Sequence, residues 1–483
     1  MKKNYLLAIA LCITTFANAS TMNLPDNGTN FNVVSKNVFA TNDVKMVSAK
    51  LDKFLLPGGE TFIKATIKNV GTNSISSVEI SWNDGTSERK QRITAYLSAG
   101  QQREVTHPIA VSFSDPTVMT RNITLSITQV NDTPDSNPAD NTINLQNSIV
   151  SQQISKKVVF EEGTGTWCGW CPRGMVALEQ VNQEYPDDQI SIGVHNGDPM
   201  VVAEYNSGAA FGGFPGMNVD RELKGVDINP NSIGNYVLTR RTIPAPAILS
   251  GSFNIDGTQL TANANSQFFI NNPNANYKLS VIIVEDGVKG TASGYRQSNY
   301  YAGGGNGEMG GYESLPNPVP ANQMVYDHVG RAILGGYKGQ NGSIPTNITD
   351  GSAANFTFNY SIPSNFNVDK LSAVLLLLDG TDGTILQATK LTKTLAVSDV
   401  SKIGANTLIY PNPAKSEFNI KLVDDGNYSV TIFDMAGREV KNYGSLKSSS
   451  KNINLSINNL TPGKYLVNIV KDGVSFTKNL LVN

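Results

Sequence analysis

Cys168 and Cys171 are separated by Gly169 and Trp170 in the string Thr164-Gly165-Thr166-Trp167-Cys168-Gly169-Trp170-Cys171-Pro172-Arg173-Gly174. Two thiols at this spacing can interconvert between dithiol and disulfide, through attack of a thiolate on a disulfide sulfur. The string follows the strand-like Lys157-Val158-Val159-Phe160. It precedes Met175 to Tyr185, where Val176, Leu178 and Val181 have broadly helical spacing and Pro186 ends the run. At such a strand-to-helix junction the first cysteine lies near the helix N-terminus, where unpaired N–H groups and the macrodipole favour an anion. On that logic Cys168 is the nucleophile and Cys171, one turn further on, the resolving thiol. Trp167 shields the pair from one side. Pro172 fits the first helical turn, where its missing N–H is not needed.

Three readings of the pair stay open: a redox-competent dithiol, an inert local disulfide, and part of a metal site. The last is the weakest, because a tetrahedral site needs about four ligands. Beyond Cys168 and Cys171 the chain offers Cys12 in its leader and the histidines His107, His195 and His328. His195, in Gly193-Val194-His195-Asn196-Gly197-Asp198, ends a short apolar strand and can face the cysteines or serve as a solvated or hydrogen-bonded loop residue. His328 beside Asp327 has no serine or cysteine nucleophile attached by any motif, which excludes a hydrolase. Asp132, Asp135, Asp140, Asp379 and Asp382 lack the ligand spacing of an EF-hand and read as turn residues. The glycines from Gly303 to Gly311 lack the Lys-Ser/Thr pair of a phosphate cradle and read as a long surface loop. No cofactor is implied.

The elements that must position these residues are mostly strands. The chain has 483 residues, enough for several domains, with 40% hydrophobic residues, 16% charged residues and a net charge of −2. Near-neutral charge without a basic stripe excludes a nucleic-acid footprint. Met1 to Ala19 reads as a secretory signal: Lys2 and Lys3, the apolar Leu6 to Phe16, then Ala17-Asn18-Ala19. No later stretch reads as a membrane span; Leu371 to Leu378 is a buried strand. From Asp43 to Gln152, alternating segments such as Val78 to Trp82 between Gly- and Asn-rich turns predict a β-sandwich. A strand, a helix and the strand Ile190 to Val194 predict an α/β unit over 156–246. Residues 247–395 are β-rich, with strands at Leu279 to Val284, Ala354 to Tyr360 and Leu371 to Leu378. Residues 406–483 predict a separate sandwich of about seven strands with tight turns.

Four resemblances sharpen this reading. The W-C-x-x-C string at the end of a strand resembles the thioredoxin-like superfamily. That likeness implies a buried acid at Glu162 that relays a proton to the resolving cysteine. Its neighbour Glu161 is the other candidate for that inward-facing acid. It also implies a cis-proline at Pro215, within Gly212-Gly213-Phe214-Pro215-Gly216, that presents an extended peptide. Trp167, Trp170 and Phe214 would then flank the substrate. A closer likeness is to thioredoxin-fold outer-membrane proteins of Bacteroidetes, carried by Glu161, Thr164, Gly165, Cys168, Cys171, Pro172 and Gly174. The later stretches Val284 to Val288 and Asp327 to Arg331 fit it too. The N-terminal "KATIKNVGTNSISSVEISW" and "DSNPADNTI" resemble CARDB-type, Ig-like modules. "YPNPAKSEFNIKL", "VTIFDMAGREV" and "INLSINNLTPGKYLVNIV" resemble the C-terminal sorting domain of type IX secretion cargo. That likeness implies export by the type IX machinery, then release or attachment at the outer surface of a Gram-negative bacterium.

The sequence therefore predicts a multidomain, mainly β protein. Its parts are a signal peptide (1–19), an Ig-like sandwich (43–152), an α/β thioredoxin-like domain (156–246), a β-rich domain (247–395) and a C-terminal sorting sandwich (406–483). The leading functional expectation is a thiol–disulfide oxidoreductase acting on protein or peptide disulfides through Cys168 and Cys171. The rival is a surface binding or adhesion protein that uses the thioredoxin fold as scaffold.

Overall fold

The computed structural model describes residues 42–113, 117–394, 404, 406–471 and 474–483. The signal at 1–19 and the polar stretch to Thr41 lie outside the described residues.

The centre of the molecule is built from strands that later parts of the chain complete. We label its elements β1 (Val158–Thr164), α1 (Pro172–Glu184), β2 (Gln189–His195), α2 (Ala203–Ala209), β3 (Gly216–Val219), β4 (Leu223–Lys224) and α3 (Gly234–Arg240). There follow β5 (Ala247–Asp256), β6 (Gln259–Phe268), β7 (Tyr277–Glu285), β8 (Val329–Leu334), β9 (Ala353–Ser361), β10 (Leu371–Asp379), β11 (Ile385–Lys390) and β12 (Thr392–Thr394). An eight-stranded sheet runs in the order β4-β3-β1-β2-β8-β7-β10-β11. β1 pairs with β2 in parallel and with β3 antiparallel, and β8 joins β2 in parallel at Gly193 and Val329. The stretches 156–246 and 247–395 thus share one sheet. The physical reason is hydrogen bonding: the free edge of β2 is a row of unpaired backbone groups, and β8 supplies its partner.

The apolar runs explain which strands lie innermost. Strand β7 sends Leu279, Val281 and Ile283 to one face and Ile282 and Val284 to the other, and all five are buried. The first face packs on a smaller sheet ordered β9-β6-β5-β12, through Phe253, Phe268, Leu375 and Leu377. The second carries Ile190, Ile192, Leu376 and the α2 residue Tyr205. A third cluster, Phe160, Leu178, Val181, Met217 and Val237, seats α1 and α3 against the β1–β3 end of the sheet. A strand buried on both faces reads as a continuous apolar run, and Leu371 to Leu378 does so.

The flanking units are sandwiches. In the N-terminal one, strands Val44–Lys50, Lys64–Asn69 and Gln102–Thr106 form one sheet. Ile75–Asn83, Glu88–Leu97, Thr120–Val130 and Thr142–Ile149 build the facing one. Ile67, Ile80, Trp82 and Leu125 fill the space between. The strand alternation read at Val78 to Trp82 is the pattern that makes this core. The unit meets the centre through Lys53, whose Nζ lies 2.5 Å from Asp379 and 3.2 Å from Asp382. Asp379 and Asp382 are therefore ion-pair partners of a lysine. At Asp135, one carboxylate oxygen accepts from the Asn137 N–H and the other from the Val44 N–H. The C-terminal unit has seven described strands, from Leu408–Tyr410 to Val474–Val482, in sheets of three and four. Its core includes Phe418, Ile420, Val430 and Val467.

Phe268 is buried where the two central sheets meet. Phe268→Ala leaves a cavity there and costs about 3–5 kcal/mol. A lowered urea midpoint for the central transition, with the flanking sandwiches unfolding as before, is the expected result.

Candidate functional site

The pairing of β1 decides which groups lie beneath the cysteines. Alternate residues of a strand point to opposite faces. Val158, Phe160 and Glu162 share the face covered by α1, whereas Val159 and Glu161 point to the face covered by α2. Both glutamates are buried. Their surroundings differ completely. Glu161 accepts from Tyr205 Oη at 2.6 Å and from Arg221 Nε at 2.9 Å, and the Arg221 guanidinium also stacks on Tyr337 with 3.7 Å to the ring centroid. Burial disfavours the Arg221 charge, but the adjoining Glu161 carboxylate more than offsets it and raises the arginine's pKa further. Glu161 is thus a neutralised structural partner.

Glu162 has no such partner. Its Oε1 is buried without a hydrogen bond, directly under Gly174 in the first turn of α1. A Cβ at Gly174 would land on that oxygen, so the glycine makes room for the carboxyl group. Burial pushes the Glu162 pKa up to about 8, against a weaker opposing hydrogen bond from Thr164. Burial in the sheet therefore favours the protonated acid near neutral pH. A cleft of about 560 Å³ reaches it from the side of Glu179, Tyr312 and His328.

The cysteines lie at the end of β1. Cys168 and Cys171 are joined in a disulfide with Cα atoms 5.4 Å apart, and both are buried. Cys171 is the N-cap of α1, Pro172 occupies the first turn, and that turn carries no acidic side chain. The Gly174 N–H donates to the Cys171 carbonyl at 2.9 Å, so Glu162 and Cys171 are tied to the same turn. The Phe214–Pro215 bond is cis, and the next residue, Gly216, stands opposite Gly163 in the β1–β3 register. Phe214 and Trp167 meet edge to face, 5.5 Å between centroids. Trp167 and Trp170 are 50% and 42% exposed, so an aromatic rim surrounds a buried disulfide.

His195 is buried and hydrogen-bonded: its Nδ1 lies 2.7 Å from Asp198 Oδ2, which also accepts from the Thr166 N–H at 3.0 Å. It braces the loop before the cysteines, alongside the Trp167 Nε1–H bond to the Asn196 carbonyl at 2.7 Å. His328 has a positive φ of 58° and lies 3.5 Å from Asp286 and 3.8 Å from Glu179. His107 belongs to the N-terminal sandwich, with Nε2 3.2 Å from the Ile80 carbonyl.

One part of the site escaped the sequence reading. The segment between β7 and β8 returns across the cysteine loop. Its Ser298 N–H donates to the Thr166 carbonyl at 2.8 Å and its Tyr300 N–H to the Gly169 carbonyl at 2.9 Å. Gln297 Nε2 donates to the Cys168 carbonyl at 2.9 Å. The Tyr300 ring lies against Gly169 and meets Trp170 at 5.4 Å. The only sequence signal was the paired Tyr300-Tyr301 ahead of the glycines, which carries no chemistry by itself.

The comparisons with known proteins bear on the ends of the chain and on its middle. The profile of the secretion system C-terminal sorting domain matches residues 408–483. The profile of outer membrane protein Omp28 matches residues 212–394. No curated protein matches the chain. Among solved structures, HBP35 of Porphyromonas gingivalis is 18% identical, with a TM-score of 0.37, covering 68% of this chain and 99% of that one. The CARDB domain of PF1109 from Pyrococcus furiosus is 15% identical, with a TM-score of 0.20, covering 25% and 100%. Protein AGR_C_4864 from Agrobacterium tumefaciens is 16% identical, with a TM-score of 0.30, covering 50% and 96%. The sorting-domain and Omp28 matches make this a secreted or cell-surface protein of the Bacteroidetes type, with a tail addressed to the secretion machinery. Neither profile, nor any of these three structures, carries a thiol–disulfide activity in its description. Among the described residues no helix is long and apolar enough to cross a membrane.

Two outcomes follow from the glutamates. The folded pKa of Glu162, about 8, lies above the ordinary 4.5. Between those values the folded chain keeps a proton that the unfolded chain has released, so stability falls as pH rises. That contribution is fully present below pH 4.5 and is lost as pH passes through about 8. Thermal midpoints should show this decline in the wild type and its loss in Glu162→Gln. Arg221→Leu strands the buried Glu161 charge and should cost about 3–5 kcal/mol in denaturant unfolding.

Proposed function

We propose that this surface or secreted protein exchanges disulfides with other polypeptides through Cys168 and Cys171, on a thioredoxin-like arrangement of β1, α1, β2 and β3. The observation that carries the reading is the Cys168–Cys171 disulfide at the head of α1, with the buried Glu162 carboxyl beneath the same turn, its Oε1 without a hydrogen-bond partner and its pKa raised to about 8. A helix N-terminus stabilises a thiolate on the first cysteine. A buried acid with a pKa of about 8 can deliver or take one proton near neutral pH.

The oxidised pair accepts two electrons from a dithiol polypeptide. A substrate thiolate attacks Sγ of Cys168, the Cys168–Cys171 bond breaks, and Cys171 leaves as a thiolate that takes the Glu162 proton. The second substrate thiolate then attacks the substrate sulfur of the mixed disulfide, forming the substrate disulfide and releasing the Cys168 thiolate. Run backwards, the Cys168 thiolate opens a substrate disulfide and Cys171 resolves the mixed species while Glu162 takes its proton. Pro215, with Phe214 and Trp167 at its side and Trp170 on the rim, would hold an extended peptide against the sulfurs.

A second reading, a surface binding protein that uses this fold as scaffold, has a specific support. Both matched profiles concern secretion and the outer membrane, and sandwiches flank the centre on both sides. The comparisons favour it over the redox reading; the geometry around Cys168 favours the redox reading.

The deciding measurement is the reduction potential of the pair in glutathione buffers, together with exchange on a disulfide-bonded peptide. A value of about −120 to −270 mV and measurable exchange support the oxidoreductase. Cys168→Ala should abolish exchange, and Cys171→Ala should trap the mixed disulfide. A value below about −300 mV without exchange marks a structural disulfide and leaves the binding protein.

A further inference from the structure

The segment Gln297–Tyr301 lies along the cysteine loop as if it were an added strand. Three carbonyls of that loop, on Thr166, Cys168 and Gly169, accept from Ser298 N–H, Gln297 Nε2 and Tyr300 N–H respectively. These carbonyls lie two residues before the nucleophile, at it and one residue after it. Gln297 is buried, and a buried amide is costly unless its donors find acceptors. Here they find the Cys168 carbonyl at 2.9 Å and the Ser298 carbonyl at 3.0 Å.

The strap is itself firmly held. Gln297 pairs with Val319 as an antiparallel bridge. Asn299, fully buried, donates to the Tyr312 carbonyl at 2.7 Å and accepts from the Tyr301 N–H at 3.1 Å. A rigid element thus grips the loop from outside α1 and β1. Gly169, between the cysteines, lacks a side chain where the Tyr300 ring rests; a Cβ there would come within 2.5 Å of ring carbons. The loop sequence and the strap are fitted to each other.

We propose that Gln297–Tyr301 is a positioning element of the dithiol site, which holds the loop in its disulfide-bonded shape and so sets the redox equilibrium of Cys168 and Cys171. Two unbonded sulfurs need more room than two bonded ones, and widening of the loop is one way to give it. Hydrogen bonds from a fixed strap to the Thr166, Cys168 and Gly169 carbonyls oppose that widening, which raises the effective concentration of one thiol toward the other. Tyr300, half-exposed beside Trp170, also supplies part of the rim of the site. The proposal deepens the oxidoreductase reading, but the equilibrium it concerns exists whether or not the pair exchanges with other proteins.

The test is glutathione equilibration of the full chain with thiol counting by mass spectrometry, alongside thermal unfolding. Gln297→Ala should shift the equilibrium about tenfold toward the dithiol, a potential about 30 mV less negative. Tyr300→Ala, at a half-exposed position, should shift it the same way by about threefold. Gly305→Ala, in the same connection with open space around its Cβ position, should leave it unchanged. Equilibria equal to wild type in both Gln297→Ala and Tyr300→Ala overturn the proposal, and so does an equal shift in Gly305→Ala. If Gln297→Ala fails to fold, Tyr300→Ala alone decides. A wild type that resists reduction and performs no exchange ends the oxidoreductase reading, while the difference between wild type and variants still reports on the strap.

Discussion

Everything at the centre of this protein is arranged around one strand, Val158–Thr164, that is buried on both faces and still carries two glutamates in succession. An ionised carboxylate in such a place must be paired or must give up its charge. Glu161 takes the first course, with Arg221 and the Tyr205 hydroxyl. Glu162 takes the second, its pKa raised by burial beneath the helix that Cys171 caps. The alternation of a strand makes these two outcomes compatible, because neighbouring residues look into different cores.

The same strand delivers the cysteine loop to a point where several segments converge. The loop after β2 contributes Asp198 and the Asn196 carbonyl, the turn before β3 contributes Phe214 and Pro215, and the long connection before β8 contributes Gln297 to Tyr301. Each anchors a different backbone or ring group, so the loop is fixed along most of its length. Such support from elements outside the immediate site is what holds reactive groups in position. It also explains why the central unit is not divisible at residue 246: the segment that grips the loop and the strand that pairs with β2 both come from later in the chain.

The outer units speak to location more than to chemistry. The sorting domain accounts for export, and the Lys53 contact with Asp379 and Asp382 makes the N-terminal sandwich part of the body of the molecule. A redox centre carried to the cell exterior works where disulfides persist. A binding protein carried there would use the same address, which is why the address does not choose between them.

The sequence alone determined the local features. The alternating runs of the sandwiches, the helix after Pro172 and the apolar strand Leu371 to Leu378 all follow from periodicity, which is a property of neighbouring residues. The Cys-Gly-Trp-Cys spacing is likewise a local feature, whereas Pro215 was singled out only through the thioredoxin resemblance. Which of Glu161 and Glu162 lies under the helix was not, because Val158, Val159 and Phe160 are apolar on both faces and leave the parity of the strand unmarked. Nor was Gln297, an ordinary polar residue 129 positions from Cys168 whose role exists only through a hydrogen bond to that cysteine's carbonyl. Contacts between residues far apart in the chain depend on the register and order of strands, and those are decided only when the whole sheet closes.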